Sequence, residues 1–305
     1  MKDNGLVDFH LHLFSRVYFE TLAALSPQPG SVPERLAEVE RRLSIQIPPP
    51  DLRAHVERWL AEFDLHGVER AAAFASVPEE IPALAQAREL SGGRLVPFAL
   101  VQPAKPESAG RVEALLAQQG FGGVLLFPAL HHYRVSDPAC AALFQTLNRQ
   151  RAVAFVHCGE WIVKLRDFLG IARTQDARFA DPTDVAPAAL ANPEATFVIP
   201  HFGGGRFEET LALGARCPNV VVDTSSSNSW AAAAGLDLKQ VFARALSVFG
   251  HERILFGTDS TTFPKGWQRA RLDEQRAVLE ELGVSAAGRA AILGGNARRI
   301  LARRC

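Results

Sequence analysis

The segment LVDFHLHLF, residues 6–14, is the first of eight short apolar runs that together predict the fold. The other seven are RAAAFASV (70–77), LVPFALV (95–101), FGGVLLFPA (121–129), AVAFVHCG (152–159), TFVIPHFG (196–203), NVVVDTS (219–225) and RILFGTDS (253–260). Stretches with helical spacing lie between them, such as DLRAHVERWLAEFDLHG (51–67) and DLKQVFARALSVFG (237–250). Near-continuous apolar strands that alternate with amphipathic helices are typical of a parallel sheet covered by helices.

Eight such units predict an α/β fold in which the strands close into a (β/α)₈ TIM barrel. An open, doubly wound sheet normally has fewer strands and a glycine-rich turn after the first one. Here LFSRVYFE (13–20) follows the first strand, and the run Gly203–Gly205 lacks the G-x-G-x-x-G spacing. No stretch resembles a linker, so we expect one barrel domain over residues 1–305.

Two connections are much longer than the others. Residues 15–50 contain SPQPGSVPE and IPPP and are expected to be a loop insertion after the first strand. The second long connection, residues 160–183, follows the fifth strand. Long loops in a compact domain are usually functional lids or disordered segments, and a position after a strand's C-terminus favours the lid. We therefore predict that residues 15–50 form a cap over the barrel mouth.

The composition narrows the class of protein. Hydrophobic residues make up 48% and charged residues 22%, and Lys+Arg and Asp+Glu both count 33. A net charge of zero provides no field to recruit nucleic acid or an anionic membrane, so neither is expected as a partner. The four cysteines form no CxxC pair, and MKDNGLVDFH contains no apolar signal-peptide core. These features predict a reducing, cytoplasmic location without a membrane span.

Metal-competent side chains recur at the ends of the apolar runs. His10 and His12 lie two apart on the first strand, so both imidazoles project from one face. His157, His201 and Asp259 each lie near the C-terminal end of a later run. In a barrel these strand ends converge on one mouth, and the first and eighth strands are neighbours after closure. Because buried histidines and aspartates are costly without partners, the set indicates a metal site rather than core packing.

These motifs resemble a known family. D-F-H-L-H on the first strand, V-H-C-G on the fifth, P-H-F-G-G-G on the sixth, F-G-T-D-S on the eighth and G-N-A-R-R-I near the C-terminus look like the amidohydrolase superfamily. Within it they are similar to the amidohydrolase 2 branch, which includes aminocarboxymuconate-semialdehyde decarboxylase and related decarboxylases, hydratases and lactone hydrolases. The resemblance runs through the whole chain in the right order.

The resemblance implies a set of metal ligands and catalytic residues. His10, His12, His157 and Asp259 would bind one divalent ion, Zn²⁺ or alternatively Mn²⁺. His201 would act as a catalytic acid or base, and Asp259 would be a ligand, a proton acceptor or both in turn. Many amidohydrolases carry a lysine on the fourth strand that bridges two metals, but FGGVLLFPA has none, which favours a single metal.

The substrate is expected to be a small organic molecule that carries a carboxylate. Arg206 at a helix start, Trp161 after the fifth strand and His132 after the fourth are candidate substrate-binding residues, although Arg206 is equally consistent with a surface arginine. The leading prediction is hydrolysis through a metal-activated water. The alternative is non-oxidative decarboxylation of an aromatic or muconate-like acid, and a barrel that binds without turnover is the third reading. Related barrels are often dimers, so a homodimer is also consistent with the resemblance.

Overall fold

The computed structural model of the chain describes residues 5–159 and 163–303. Its strands are β1 (Leu6–His12), β2 (Val68–Phe74), β3 (Leu95–Leu100), β4 (Gly123–Leu126), β5 (Val153–Val156), β6 (Thr196–Ile199), β7 (Val220–Asp223) and β8 (Ile254–Leu255). They form one parallel sheet in the order β1 to β8, and each strand corresponds to one predicted apolar run. Their side chains are nearly all buried, as expected for a parallel sheet with helices outside it.

Hydrogen bonds between β1 and the segment that begins with β8 close the barrel. The amide of Phe9 donates to the carbonyl of Phe256 over 2.8 Å, and the amide of His12 donates to the carbonyl of Ser260 over 3.0 Å. A third amide, that of Asp259, donates to the carbonyl of His10 over 2.9 Å. The predicted (β/α)₈ barrel is confirmed, and its closure places Asp259 beside the first strand.

Helices lie between the strands along the chain and after the last strand. They are α1 (Arg16–Leu25), α2 (Val32–Leu43), α3 (Leu52–His66), α4 (Ile81–Leu90), α5 (Ser108–Gln118), α6 (Pro128–His131), α7 (Ala141–Arg149), α8 (Lys164–Phe168), α9 (Ala186–Ala191), α10 (Phe207–Arg216), α11 (Ser227–Ala233), α12 (Leu238–Phe249), α13 (Arg269–Glu281), α14 (Ala286–Ala290) and α15 (Asn296–Ala302). Short 3₁₀ turns cover Pro78–Glu80, Pro138–Cys140, Ala177–Phe179, Pro182–Val185 and Pro200–Gly203, and a π-turn covers Ala291–Gly295. Across the described ranges, no helix combines the length and apolar character that a membrane crossing requires.

The insertion after β1 is present, but it is helical and not the loop that the sequence suggested. Helix α2 begins with a capping box in which Ser31 and Glu34 satisfy each other's backbone amides. Pro33 lies in its first turn, where a missing amide proton costs no hydrogen bond, so the proline-rich letters begin a helix rather than exclude one.

Helices α1 and α2 share an apolar cluster that is separate from the main core. Phe19 and Leu22 of α1 pack there with Leu36 of α2, and the segment after β5 contributes Leu165 and Leu169. The two long connections are therefore packed against each other. Residues 160–162 of the second connection lie outside the described ranges.

An aromatic layer fills the barrel below its C-terminal mouth. The ring of Phe74 lies 4.4 Å from that of Phe155 and 5.0 Å from that of Phe98. Phe74 and Phe155 also contact the ring of His10, at 5.1 and 5.0 Å between centroids. The polar groups at the mouth therefore lie on a layer of apolar side chains, where electrostatic interactions are stronger than in water.

Candidate metal centre

Three side chains from the two ends of the chain meet at the mouth of the barrel. Nε2 of His10 lies 3.3 Å from Nε2 of His12, and these two nitrogens lie 3.7 and 3.6 Å from Oδ1 of Asp259. Ligands of a tetrahedral zinc ion bound at about 2.0–2.1 Å lie roughly 3.3–3.4 Å apart. The spacing of the two nitrogens and the carboxylate oxygen therefore fits a shared divalent ion.

Oxygen atoms behind the two β1 histidines fix the orientation of their rings. Nδ1 of His10 lies 2.9 Å from Oδ2 of Asp223, and Nδ1 of His12 lies 2.8 Å from Oγ of Ser76. A proton held on Nδ1 by these oxygens leaves the lone pair on Nε2, which is the tautomer that a metal ligand requires. The surroundings of both rings thus fit the same ion.

His157 and His201 form an adjacent pair. Their Nε2 atoms lie 3.1 Å apart, and the ring of His201 stacks on that of His10 with centroids 4.8 Å apart. Nδ1 of His201 donates to the carbonyl of Ser225 over 2.9 Å. Within the described ranges there are two compact groups of possible ligands, one of His10, His12 and Asp259 and one of His10, His201 and Asp223. His157 faces His201 beside them. The structure thus gathers all five predicted residues at one mouth.

Asp223, at the end of β7, received no role from the sequence although it orients two of these histidines. Besides its contact with His10, its Oδ1 accepts hydrogen bonds from the amides of His201 (3.0 Å) and Ser225 (2.8 Å). The side chain is fully buried. The sequence pattern that pointed to Asp259, an acidic residue at the end of an apolar run, is also present at Asp223 in the run NVVVDTS.

The backbone is unusual at the two residues that were predicted to be catalytic. His201 and Asp259 have φ values of 56° and 57°, in the left-handed region that residues other than glycine rarely occupy. Ser226, with φ of 51°, donates from its Oγ to Oδ2 of Asp259 over 2.6 Å. Such conformations cost of order 1–3 kcal/mol each and cluster at functional sites.

Two glycines allow the strand ends to approach each other. A Cβ on Gly257 would lie 2.9 Å from Cβ of His10, so the segment after β8 can pass this close to β1 only without a side chain at this position. Gly159 has φ of 82°, and a Cβ there would lie 2.5 Å from the carbonyl oxygens of Gly203 and Gly204. The glycine run after β6 therefore packs against the end of β5.

The electrostatic environment favours the cation-binding protonation states of His12, His157, His201 and Asp259. Burial, reinforced by the charge of His10, lowers the pKa of His12 to about 3. Burial and neighbouring histidines likewise lower the pKa values of His157 and His201. Burial would raise the pKa of Asp259, but the nearby histidines, led by His10, hold that pKa below its usual range. Neutral imidazoles beside an ionised carboxylate are the forms that coordinate a divalent ion. His10 differs from the other three histidines: burial would lower its pKa, but the carboxylate of Asp223, followed by that of Asp259, raises it, so a bound ion has to displace a proton from this ring.

A buried carboxylate behind His12 was also missed by the sequence analysis. Glu80 accepts hydrogen bonds from the amide of Ser76 (2.8 Å) and from the amide (2.8 Å) and Oγ (3.0 Å) of Ser15. Because Ser76 in turn contacts His12, Glu80 ties the ends of β1 and β2 to the site. Burial raises the pKa of Glu80 to about 7. Sequence spacing gave no signal for this contact, since Glu79 and Glu80 look alike.

The candidate centre opens into a cavity of about 720 Å³. Its lining includes His12, His157, His201 and Asp259, and its walls carry the rings of Phe14, Tyr18, Phe127 and Trp230. The positive groups on its lining are Lys164, Arg166 and Lys265. This volume lies in the usual range for small-molecule sites, about 300–1,000 Å³.

Arg206 and His132, two of the three predicted substrate-binding residues, are not on the cavity lining. Arg206 precedes α10, and its guanidinium lies 3.4 Å from the carboxylate of Glu209 instead of on the cavity lining. His132 is exposed, with its Nε2 against the carbonyl of Thr174 and its ring stacked on Phe179. Trp161 lies outside the described residues.

The barrel with a histidine and aspartate cluster at its C-terminal mouth defines a class of metal-dependent barrel enzymes. A family model described as amidohydrolase matches residues 7–303. The chain therefore belongs to the amidohydrolase family and is an enzyme of that family. No curated protein matches it.

Solved structures share the fold over nearly the whole chain at low sequence identity. The 5-carboxyvanillate decarboxylase of Sphingomonas paucimobilis has a TM-score of 0.66 at 15% identity, covering 98% of this chain and 99% of that one. The enzyme of the same name from Novosphingobium aromaticivorans, complexed with manganese and 4-hydroxy-3-methoxy-5-nitrobenzoic acid, has a TM-score of 0.65 at 14% identity, covering 99% and 97%. A proposed 2-pyrone-4,6-dicarboxylic acid hydrolase of Pseudomonas putida has a TM-score of 0.62 at 20% identity, covering 99% and 98%.

Proposed function

We propose that the protein is a metal-dependent decarboxylase of a small aromatic carboxylic acid. The observation that carries the proposal is the cavity, in which a cluster of metal-competent residues opens onto walls of aromatic rings. The ring of Phe14 stacks on His12 with centroids 5.0 Å apart, and Phe127 lies 5.2 Å from His157. Flat apolar walls beside a cation site suit an aromatic ring that bears a carboxylate. The structural likeness to two 5-carboxyvanillate decarboxylases supports the same reading.

We expect His10, His12 and Asp259 to hold the ion, with His157 as a fourth ligand on the side that faces His201. Manganese and zinc are both compatible with two or three imidazoles and one carboxylate. The bound ion would supply a Lewis acid that polarises and orients a substrate oxygen. Asp223 and Ser76 would keep the first two imidazoles in the ligating tautomer, through the contacts of 2.9 and 2.8 Å described above.

The reaction requires one proton at the carbon that loses CO₂, because a C–C bond breaks and a C–H bond replaces it. His201 donates its Nδ1 proton to the carbonyl of Ser225, which leaves the lone pair on its Nε2. This Nε2 faces that of His157 at 3.1 Å, so it would be free to accept and return a proton once His157 binds the ion. The carboxylate of Asp259 also lines the cavity, with one oxygen held by Ser226. These two residues are our candidates for proton transfer to the substrate.

Hydrolysis of a carboxylated lactone, amide or ester is the competing function, and the sequence favoured it. The same acid–base pair could serve a water molecule, and the likeness to the Pseudomonas putida protein is in keeping with it. The aromatic walls and the two decarboxylase likenesses give decarboxylation the greater support.

Product analysis separates the two reactions. The purified protein, supplied with Mn²⁺ or Zn²⁺, is incubated with hydroxybenzoates, carboxylated benzoates and carboxylated lactones while CO₂ and acid release are both measured. We expect CO₂ from at least one aromatic acid, at least about 100-fold less of it from the His12→Ala variant, and unchanged release from His251→Ala, whose imidazole is exposed. Acid release from lactones without CO₂ would show a hydrolase instead, and metal binding with neither product would show a binding protein.

A further inference from the structure

The charges on the cavity lining are unbalanced although the whole chain is neutral. Lys+Arg and Asp+Glu are equal over the full sequence. On the lining, by contrast, Lys164, Arg166 and Lys265 are accompanied by one carboxylate among the described residues, that of Asp259. Asp259 belongs to the candidate metal centre, so it would offset the charge of the ion and not that of the three cations. The described part of the lining therefore favours a ligand with more negative charge than one carboxylate carries.

Of the three cations on the lining, Arg166 on α8 is the one best placed to bind an anionic group of a ligand. Its neighbour Arg173 forms two hydrogen bonds with Asp167, of 2.7 and 2.6 Å. In the ranges 5–159 and 163–303, the Arg166 guanidinium has neither an ion pair nor a side-chain hydrogen bond, although the residue is only partly exposed. A partly buried guanidinium without an ion-pair partner has its fork of donors open to a carboxylate.

A line of stacked rings joins the candidate metal centre to the neighbourhood of Arg166. Phe14 stacks on His12 at 5.0 Å, and Tyr18 stacks on Phe14 at 4.1 Å with the two rings only 7° from parallel. Tyr18 and Arg166 both line this cavity. A flat molecule with an anionic group at each end therefore meets metal-competent residues, an apolar wall and a guanidinium on the lining of one cavity.

We propose that the substrate carries a second anionic group and that Arg166 binds it while the first carboxylate lies at the candidate metal centre. An aromatic dicarboxylate is the class that fits both ends and the apolar wall between them. The proposal rests on the proposed function for the role of the metal end, but its test is a binding measurement that requires no turnover.

The experiment compares benzoate with benzene-1,3-dicarboxylate as probes of the manganese-loaded protein by calorimetry. We expect the dicarboxylate to bind about 10- to 100-fold more tightly, since a charge-assisted pair supplies that much. Arg166→Ala should remove most of this preference and leave the affinity for benzoate within about twofold. Arg166→Lys should restore only part of it, because lysine lacks the planar fork. Arg173→Ala, on an arginine already paired with Asp167, should change neither affinity.

Equal losses for the two probes in Arg166→Ala, or no loss at all, would overturn the proposal. The outcome is distinguishable from failure of the proposed function. A dicarboxylate preference that depends on Arg166, found in a protein that releases no CO₂, would reject the decarboxylase and retain this site. Release of CO₂ with a preference that Arg166→Ala leaves intact would do the reverse.

Discussion

In each of the two β1 histidines, Nδ1 forms a hydrogen bond and Nε2 belongs to the candidate metal centre. Strand alternation predicts from the sequence that His10 and His12 share a face. It does not predict that Asp223 and Ser76 lie behind them, because those contacts join residues 213 and 64 positions apart. The role of Asp223 therefore follows from the fold, and it can be tested on its own.

Asp223→Asn should weaken metal binding by about 10- to 100-fold. The amide that replaces the carboxylate no longer stabilises a proton on Nδ1 of His10, so the ring loses its preference for the ligating tautomer. Calorimetric titration with Mn²⁺ measures the effect. Asp64→Asn, at a position that is 69% exposed, is the matched control and should bind Mn²⁺ as the natural protein does. An unchanged Kd for Asp223→Asn would show that Asp223 does not orient the ring.

At the scale of elements, helices α1 and α2 explain how one long insertion becomes ordered. Their apolar cluster includes Leu165 and Leu169 from the connection after β5, so the two long connections stabilise each other. The cavity is lined from this side by Tyr18, Phe19 and Leu22. These contacts support our proposal that α1 and α2 form a cap over the mouth.

Leu22→Ala should loosen this cap and leave the barrel intact. The side chain is fully buried in the smaller cluster, where a Leu→Ala change costs about 2–5 kcal/mol. Hydrogen exchange should quicken over residues 16–43 and stay unchanged in the strands. Leu25→Ala, on the same helix at 61% exposure, should leave the exchange pattern as it was. Equal loss of protection in the strands would show that the cap is part of one cooperative unit with the barrel.

Glu80 connects the start of α1 to the end of β2, and its burial predicts a pH dependence of stability. Its pKa is about 7 in the folded protein against an ordinary value of 4.5. The folded state thus holds a proton that the unfolded chain loses between these values. The stabilising contribution is therefore complete below about pH 4.5 and declines as the pH rises to about 7. Each tenfold difference in proton affinity corresponds to about 1.4 kcal/mol.

Urea unfolding of the natural protein and of Glu80→Gln across pH 4.5–8 tests this. The free energy of unfolding of the natural protein, minus that of the variant, should fall over this window and level off above about pH 8. Glu79→Gln, which changes an exposed neighbour, should show a constant difference. A difference for Glu80→Gln that is constant or rises with pH would contradict the assignment.

At the scale of the molecule, the candidate ligands join the two ends of the barrel. His10 and His12 come from β1 and Asp259 from the segment after β8, where a single parallel bridge pairs Leu11 with Ser260. An ion held by these residues would stabilise the contact between β1 and the segment after β8, where the barrel closes. Metal binding should therefore act on global stability as well as on the reaction.

Removal of the metal with a chelator should lower Tm. An ion present at 100 times its Kd contributes about 2.7 kcal/mol, which for a domain of this size corresponds to about 4 °C. Calorimetric scans with and without Mn²⁺ measure the shift, and the His12→Ala variant should show none. An equal shift in that variant would place the stabilising ion elsewhere.

The sequence by itself determined the eight strands, their alternation with helices and the convergence of His10, His12, His157, His201 and Asp259, because periodicity and strand ends are local properties that barrel closure brings together. It indicated the insertion after β1 but not its helices, since prolines at a helix start look like a loop. Only the tertiary structure decided that Asp223 and Glu80 support the site, that Arg206 turns to Glu209 and that Arg166 lies on the cavity. The reason is physical: these roles depend on contacts between distant segments, and no spacing along the chain encodes them.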